Sequence, residues 1–117
     1  IIYARVSSLK QKQSGELEQQ VEIILKQNHN LQNPIILKEI GSGLNEQRPK
    51  LQQLLKMVLN NEVNKIYITH KDILARFGFD YLKYIFEEIG VEIVTLYEGD
   101  YENLTEKEKA EINEKKE

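Results

Sequence analysis

The 117-residue chain has no cysteine, no apolar run near the ~20 residues that cross a bilayer, and no net excess of basic side chains. Each absence excludes something. Without cysteine there are no disulfides and no thiolate metal sites, which fits a reducing, cytoplasmic setting. Without a long apolar run or a signal-peptide pattern, no membrane partner is expected. His29 and His70 have no second ligand at metal spacing, so no metal is expected and both read as solvent or loop residues. Gly41-Ser42-Gly43 lacks the rest of a phosphate loop and its lysine, so it reads as a turn.

The net charge of −3 argues against tight nucleic-acid binding by charge alone. Its distribution is uneven. Residues 98–117 hold eight acidic and four basic side chains, leaving eleven acidic and twelve basic over residues 1–97. A near-neutral body with an acidic tail would need most of any grip on DNA from elsewhere.

What is present suits one globular domain, with charged residues at 30% and apolar residues at 40%. Ile1 to Val6 reads as a buried strand running into the polar Ser7-Ser8. Alternation puts Tyr3, Arg5 and Ser7 on one face and Ile2, Ala4 and Val6 on the other. A buried arginine costs several kcal/mol, of order 3–5 when left unpaired. Arg5 beside a hydroxyl at the carboxyl end of a strand therefore points to an anion site, on the edge where open α/β sheets bind ligands.

Residues 9–14 read as a polar loop, and Ser14 as the cap of a helix carrying Leu17, Val21, Ile24 and Leu25 inward. Residues 35–40 form a second strand. Pro49 opens a helix whose core-facing stripe is Leu51, Leu54, Leu55, Val58 and Leu59. Residues 66–69 give a third strand, followed by a polar connection from His70 to Arg76. The next helix faces Leu82, Ile85, Phe86 and Ile89 inward, with Tyr81 and Tyr84 read as packing residues, and Gly90 supplies a left-handed cap. Residues 91–96 are a fourth strand. Beyond it, Thr105 and Glu108 make a capping box for a short charged helix. Alternating β and α elements predict an α/β, three-layer αβα fold with a mainly parallel four-stranded sheet.

Three loops leave the carboxyl ends of strands one to three and bring Arg5 and Ser7, Arg48, and Asp72 and Arg76 to one edge. Such a set suits phosphoryl transfer. Serine supplies a nucleophile, arginines stabilise a pentacovalent phosphorus, and a carboxyl group handles a proton. The bland alternatives are a structural Arg5–Asp72 ion pair, an Arg48 that decorates a helix start, and an Asp72 that caps a turn.

Four stretches together resemble the serine recombinases (resolvases, invertases and serine transposases). They are Tyr3-Ala4-Arg5-Val6-Ser7, Leu17-Glu18-Gln19-Gln20, Gly41-Ser42-Gly43-Leu44-Asn45 followed by Arg48, and Asp72-Ile73-Leu74-Ala75-Arg76-Phe77-Gly78. The wording of the last two is most similar to transposases that carry a MerR-like DNA-binding domain upstream. The resemblance implies strand order 2-1-3-4 and a catalytic domain over residues 1–97; the acidic, partly helical tail over 98–117 departs from the long helix with which the family continues, and is expected to pack on a partner or fray. A DNA-binding segment is expected ahead of a chain that opens within a strand.

It also implies DNA as partner, Ser7 attacking a phosphodiester to give a 5′-phosphoserine link, and strand exchange by a homodimer that becomes a tetramer, without metal or cofactor. Arg5, Arg48, Asp72 and Arg76 would serve catalysis, and Ser8, Gln20 and Lys71 would touch the substrate. Ile73 departs from the family, which usually has arginine after the aspartate. Losing one transition-state contact costs ~2.7–4 kcal/mol. A catalytically weak domain acting as a DNA-binding and oligomerisation accessory is the alternative. A nucleotide-binding domain is a weaker one, since no phosphate loop is present.

Overall fold

The computed structural model describes residues 1–41 and 47–97. Nine elements follow in order: β1 (Ile2–Val6), α1 (Leu9–Gln13), α2 (Glu16–Gln27), β2 (Ile36–Ile40), α3 (Pro49–Leu59), β3 (Lys65–His70), α4 (Lys71–Leu74), α5 (Phe79–Ile89) and β4 (Glu92–Tyr97). The sheet order is β2-β1-β3-β4 and every pairing is parallel, as expected.

Alternation in β1 divides the core into two layers. Ile2, Ala4 and Val6 pack with Leu17, Val21, Ile23 and Ile24 of α2. Tyr3 faces the other way, into a cluster with Leu54 and Val58 of α3, Ile73 and Leu74 of α4 and Phe86 of α5. Arg5 shares the Tyr3 face by the same alternation, so its charge enters the α3–α5 layer.

Several expectations need correction. Residues 9–13 form the short helix α1 rather than a loop. Ser14 does not cap α2; Gly15, at φ 87°, holds the cap position, where a left-handed backbone suits glycine, while the Ser14 hydroxyl donates to Glu16 at 3.2 Å. The polar connection after β3 contains the single turn α4. His70 is no solvent residue but the buried last residue of β3. Leu59, Ile85 and Ile89 are exposed, because only Leu54, Val58 and Phe86 of these two helices reach the sheet fully. Tyr81 and Tyr84 also stand in solvent rather than packing.

Gly90 does cap α5 in the left-handed region, at φ 98°. No helix among the described residues is long and apolar enough to cross a membrane. The expected tail helix and residues 42–46 of the glycine-rich stretch lie outside the described residues.

Candidate active site

The site begins where β1 and β3 part. They register at Ile2 opposite Tyr67. Three residues on, the main chain of Arg5 is held by Gln20 of α2 instead. The Arg5 N–H donates to Gln20 Oε1 at 3.1 Å, and Gln20 Nε2 donates to the Arg5 carbonyl at 2.8 Å. The side-chain amide thus stands in for a neighbouring strand. β2 closes the other side in register, with Arg5 opposite Glu39.

This gap lies between β1 and β3, where the chain order across the sheet reverses, and α4 fills it. Arg5 Nε donates to the carbonyl of Ile73 at 2.8 Å and Arg5 Nη1 to the carbonyl of Gly41 at 2.8 Å. Arg5 Nη2 donates to the carbonyl of Asp72. What Asp72 gives Arg5 is therefore its main chain, so the arginine spans the ends of β2 and α4.

Arg48 occupies the cap position of α3, with Pro49 behind it as the first helical residue. Its side chain turns inward and is only 3% exposed, so it does not decorate the helix start. Arg48 Nη2 donates to the Tyr3 hydroxyl at 2.7 Å and to the carbonyl of Ile73 at 3.0 Å. Arg48 Nε is buried 3.6 Å from Glu39 Oε1, an ion pair without a hydrogen bond. Nη1 makes no hydrogen bond among the described residues.

Glu39 and Tyr3 complete the network, and the sequence reading assigns neither of them a role in the site. Tyr3 donates to Glu39 Oε1 at 2.5 Å. The two first amides of α3 also reach this carboxylate: Lys50 N–H donates to Oε2 at 2.8 Å and Leu51 N–H to Oε1 at 3.2 Å. Glu39 thus satisfies amides that the helix cannot satisfy itself, at the end where negative charge is favoured. Burial, and then the bond to Glu39, push the Tyr3 hydroxyl well above the ordinary tyrosine range. A signal for Glu39 was available in the pattern, since strand alternation puts it on the same face as the buried Leu37.

Ser7 and Ser8 both lie exposed just past the end of β1. Asp72 is half-buried in the first turn of α4, and its carboxylate has no partner among the described residues. Lys71 and Arg76 are exposed at the two ends of that turn, likewise without partners among those residues. No group of three or more histidine, aspartate or glutamate side chains among the described residues could hold a metal ion.

Charge summarises what this arrangement can do. Among the described residues the buried charged side chains are Arg5, Arg48 and Glu39. Two guanidiniums and one carboxylate thus meet at the carboxyl edge of the sheet, where β1 ends and Ser7 follows.

The resolvase N-terminal domain model matches residues 1–113. The chain belongs to the resolvase family. A resolvase-named protein of Acanthamoeba polyphaga mimivirus is 44% identical over 85 residues, 73% of this chain and 42% of that protein. The chain thus spans under half the length of the curated relatives it matches. The catalytic domain of ISC1926 TnpA, an IS607-like serine recombinase, superposes with a TM-score of 0.75 at 40% identity, over 85% of this chain and 70% of that one. A serine recombinase from Sulfolobus solfataricus gives 0.77 at 38% identity, over 94% of this chain and 73% of that one. Family and fold together make this a serine recombinase catalytic domain.

Proposed function

We propose that this domain cleaves and rejoins DNA strands, with Ser7 as the nucleophile. The observation that carries the reading is the pair of buried guanidiniums, Arg5 and Arg48, at the strand end that an exposed serine follows, in a chain of the resolvase family. Ser7 Oγ attacks phosphorus. The Oγ–P bond forms as the P–O3′ bond breaks, the serine proton passes to solvent, and the leaving 3′-oxygen takes a proton to become a hydroxyl.

Arg5, fixed on three carbonyls, and the remaining Nη1 edge of Arg48 hold the non-bridging oxygens, where a planar fork suits a phosphate. Exposed Arg76 and Lys71 approach from the loop after β3, and Ser8 flanks the nucleophile. Asp72, whose carboxylate has no partner among the described residues, orients an arginine or supplies the proton. Gln20 acts through Arg5 by fixing its main chain. Rejoining runs the same bonds in reverse, with strand exchange by homodimers assembled into a tetramer on DNA.

The test is a nicked duplex made from the genomic sequence flanking the coding region, incubated with purified protein. A covalent protein–DNA adduct is expected, with a free 3′-hydroxyl on the released strand. Ser7→Ala should form none. An adduct of undiminished yield from Ser7→Ala would refute the assignment.

A further inference from the structure

Ile73 stands where the family's motif has arginine, yet the structure gives it a task. Its side chain is 4% exposed and packs with Tyr3, Leu54 and Leu74. Its carbonyl oxygen accepts from two guanidiniums at once, Arg5 Nε at 2.8 Å and Arg48 Nη2 at 3.0 Å. The adjoining carbonyl of Asp72 takes Arg5 Nη2. We propose that Ile73 is the positioning residue of this site, its buried side chain fixing the turn whose carbonyls set where both arginines point. The proposal rests on the recombinase reading and deepens it.

The physical case lies in how little else holds α4. It has four residues, one turn of backbone, with the Ala75 N–H donating to the carbonyl of Lys71 at 3.1 Å. One isolated turn is unstable in water, because nucleation orders several residues for one hydrogen bond. Burial of Ile73 and Leu74 therefore supplies its order. The carbonyls can direct two arginines only while the turn keeps its angle.

Arginine at position 73 would either bury a third cation in this layer or rotate the turn to bring the side chain out. Rotation swings the Ile73 carbonyl away from Arg5 and Arg48. Restoring the family residue here should thus disorder the site rather than repair it.

Nitrogen-15 NMR of the whole chain reads these bonds at the arginine Nε–H of Arg5. In the unchanged chain and in Ile73→Val, that proton should exchange with solvent about tenfold more slowly than the one on exposed Arg76, the effect of one ordinary hydrogen bond. Ile73→Ala and Ile73→Arg should lose the protection. Ile73→Thr, isosteric with valine but weaker in burial, gives a folded comparison and should fall below Ile73→Val. Val58→Ala, a cavity elsewhere in the same layer, should keep it. Equal protection in the valine and threonine variants, or equal loss in Val58→Ala, would overturn the proposal.

The cleavage assay supplies a second reading. Ile73→Ala should slow adduct formation at saturating DNA by about tenfold or more while its DNA Kd stays within about twofold, the pattern of an interaction lost in the transition state. Ile73→Val should restore the rate. If the unchanged chain forms no adduct, the recombinase reading fails, and the exchange measurement still decides the role of Ile73.

Discussion

Removing the Glu39 carboxylate should unfold much of what holds the site. Glu39 is 5% exposed and touches four groups: the Tyr3 hydroxyl, the amides of Lys50 and Leu51, and the Arg48 guanidinium. In Glu39→Ala the Arg48 charge stays buried with no counter-charge. Breaking one side of a buried ion pair costs about 3–5 kcal/mol. The helix amides lose an acceptor too, and lost helix caps cost about 0.5–2 kcal/mol. These losses share partners, so they overlap rather than add. A total near 4 kcal/mol is expected, against a stability of ~5–15 kcal/mol for a domain of this kind.

Urea unfolding followed by circular dichroism measures it. Glu39→Gln, which keeps an acceptor oxygen but no charge, should lose about half as much. Combining Glu39→Ala with Arg48→Met should recover part of the loss, because no buried charge remains to be stranded. A loss below about 1 kcal/mol in Glu39→Ala would show that water reaches Arg48, and the account of a buried charged site would fall.

Two further outcomes follow from the same network. The Tyr3 hydroxyl is held above its ordinary value of about 10, so its folded form keeps a proton that the unfolded form releases. Its contribution is complete below that value and disappears as pH rises beyond it, so stability should fall in alkali; Tyr3→Phe should flatten that fall, and absorbance titration should show one tyrosine fewer that resists ionisation until unfolding. Gln20→Ala removes both bonds to the Arg5 main chain and should cost about 1–3 kcal/mol by urea unfolding, with Gln20→Glu keeping only the acceptor half. A Gln20→Ala chain as stable as the original would show that β1 needs no support where it leaves β3.

The sheet was readable because its information is local. Each strand is a short apolar run, and the alternation of Tyr3 and Arg5 against Ile2 and Ala4 places the arginine in the α3–α5 layer without further knowledge. That Arg5 and Arg48 meet at the carboxyl edge of the sheet was readable from the edge to which their loops return. The short helices were not: α1 has no apolar period, and α4 is one turn that burial holds in place. The exposed side of α5 was misread for a related reason. Ile85 and Ile89 have the spacing of a buried face, but the sheet accommodates only Phe86 fully. The pairing of Glu39 with Tyr3 was not readable because it joins residues 36 apart in the chain.

Position 73 shows why a motif and its physical environment can point in different directions. Read as a pattern, isoleucine after Asp72 is a missing phosphate ligand. In the fold, that side chain lies in the layer that already buries the guanidiniums of Arg5 and Arg48 against the single carboxylate of Glu39. A third buried guanidinium would add another cation to that layer before any substrate arrives, and desolvating it would cost several kcal/mol, of order 3–5. Isoleucine avoids that cost. Isoleucine at this position therefore keeps a further cation out of the layer while its carbonyl holds both arginines.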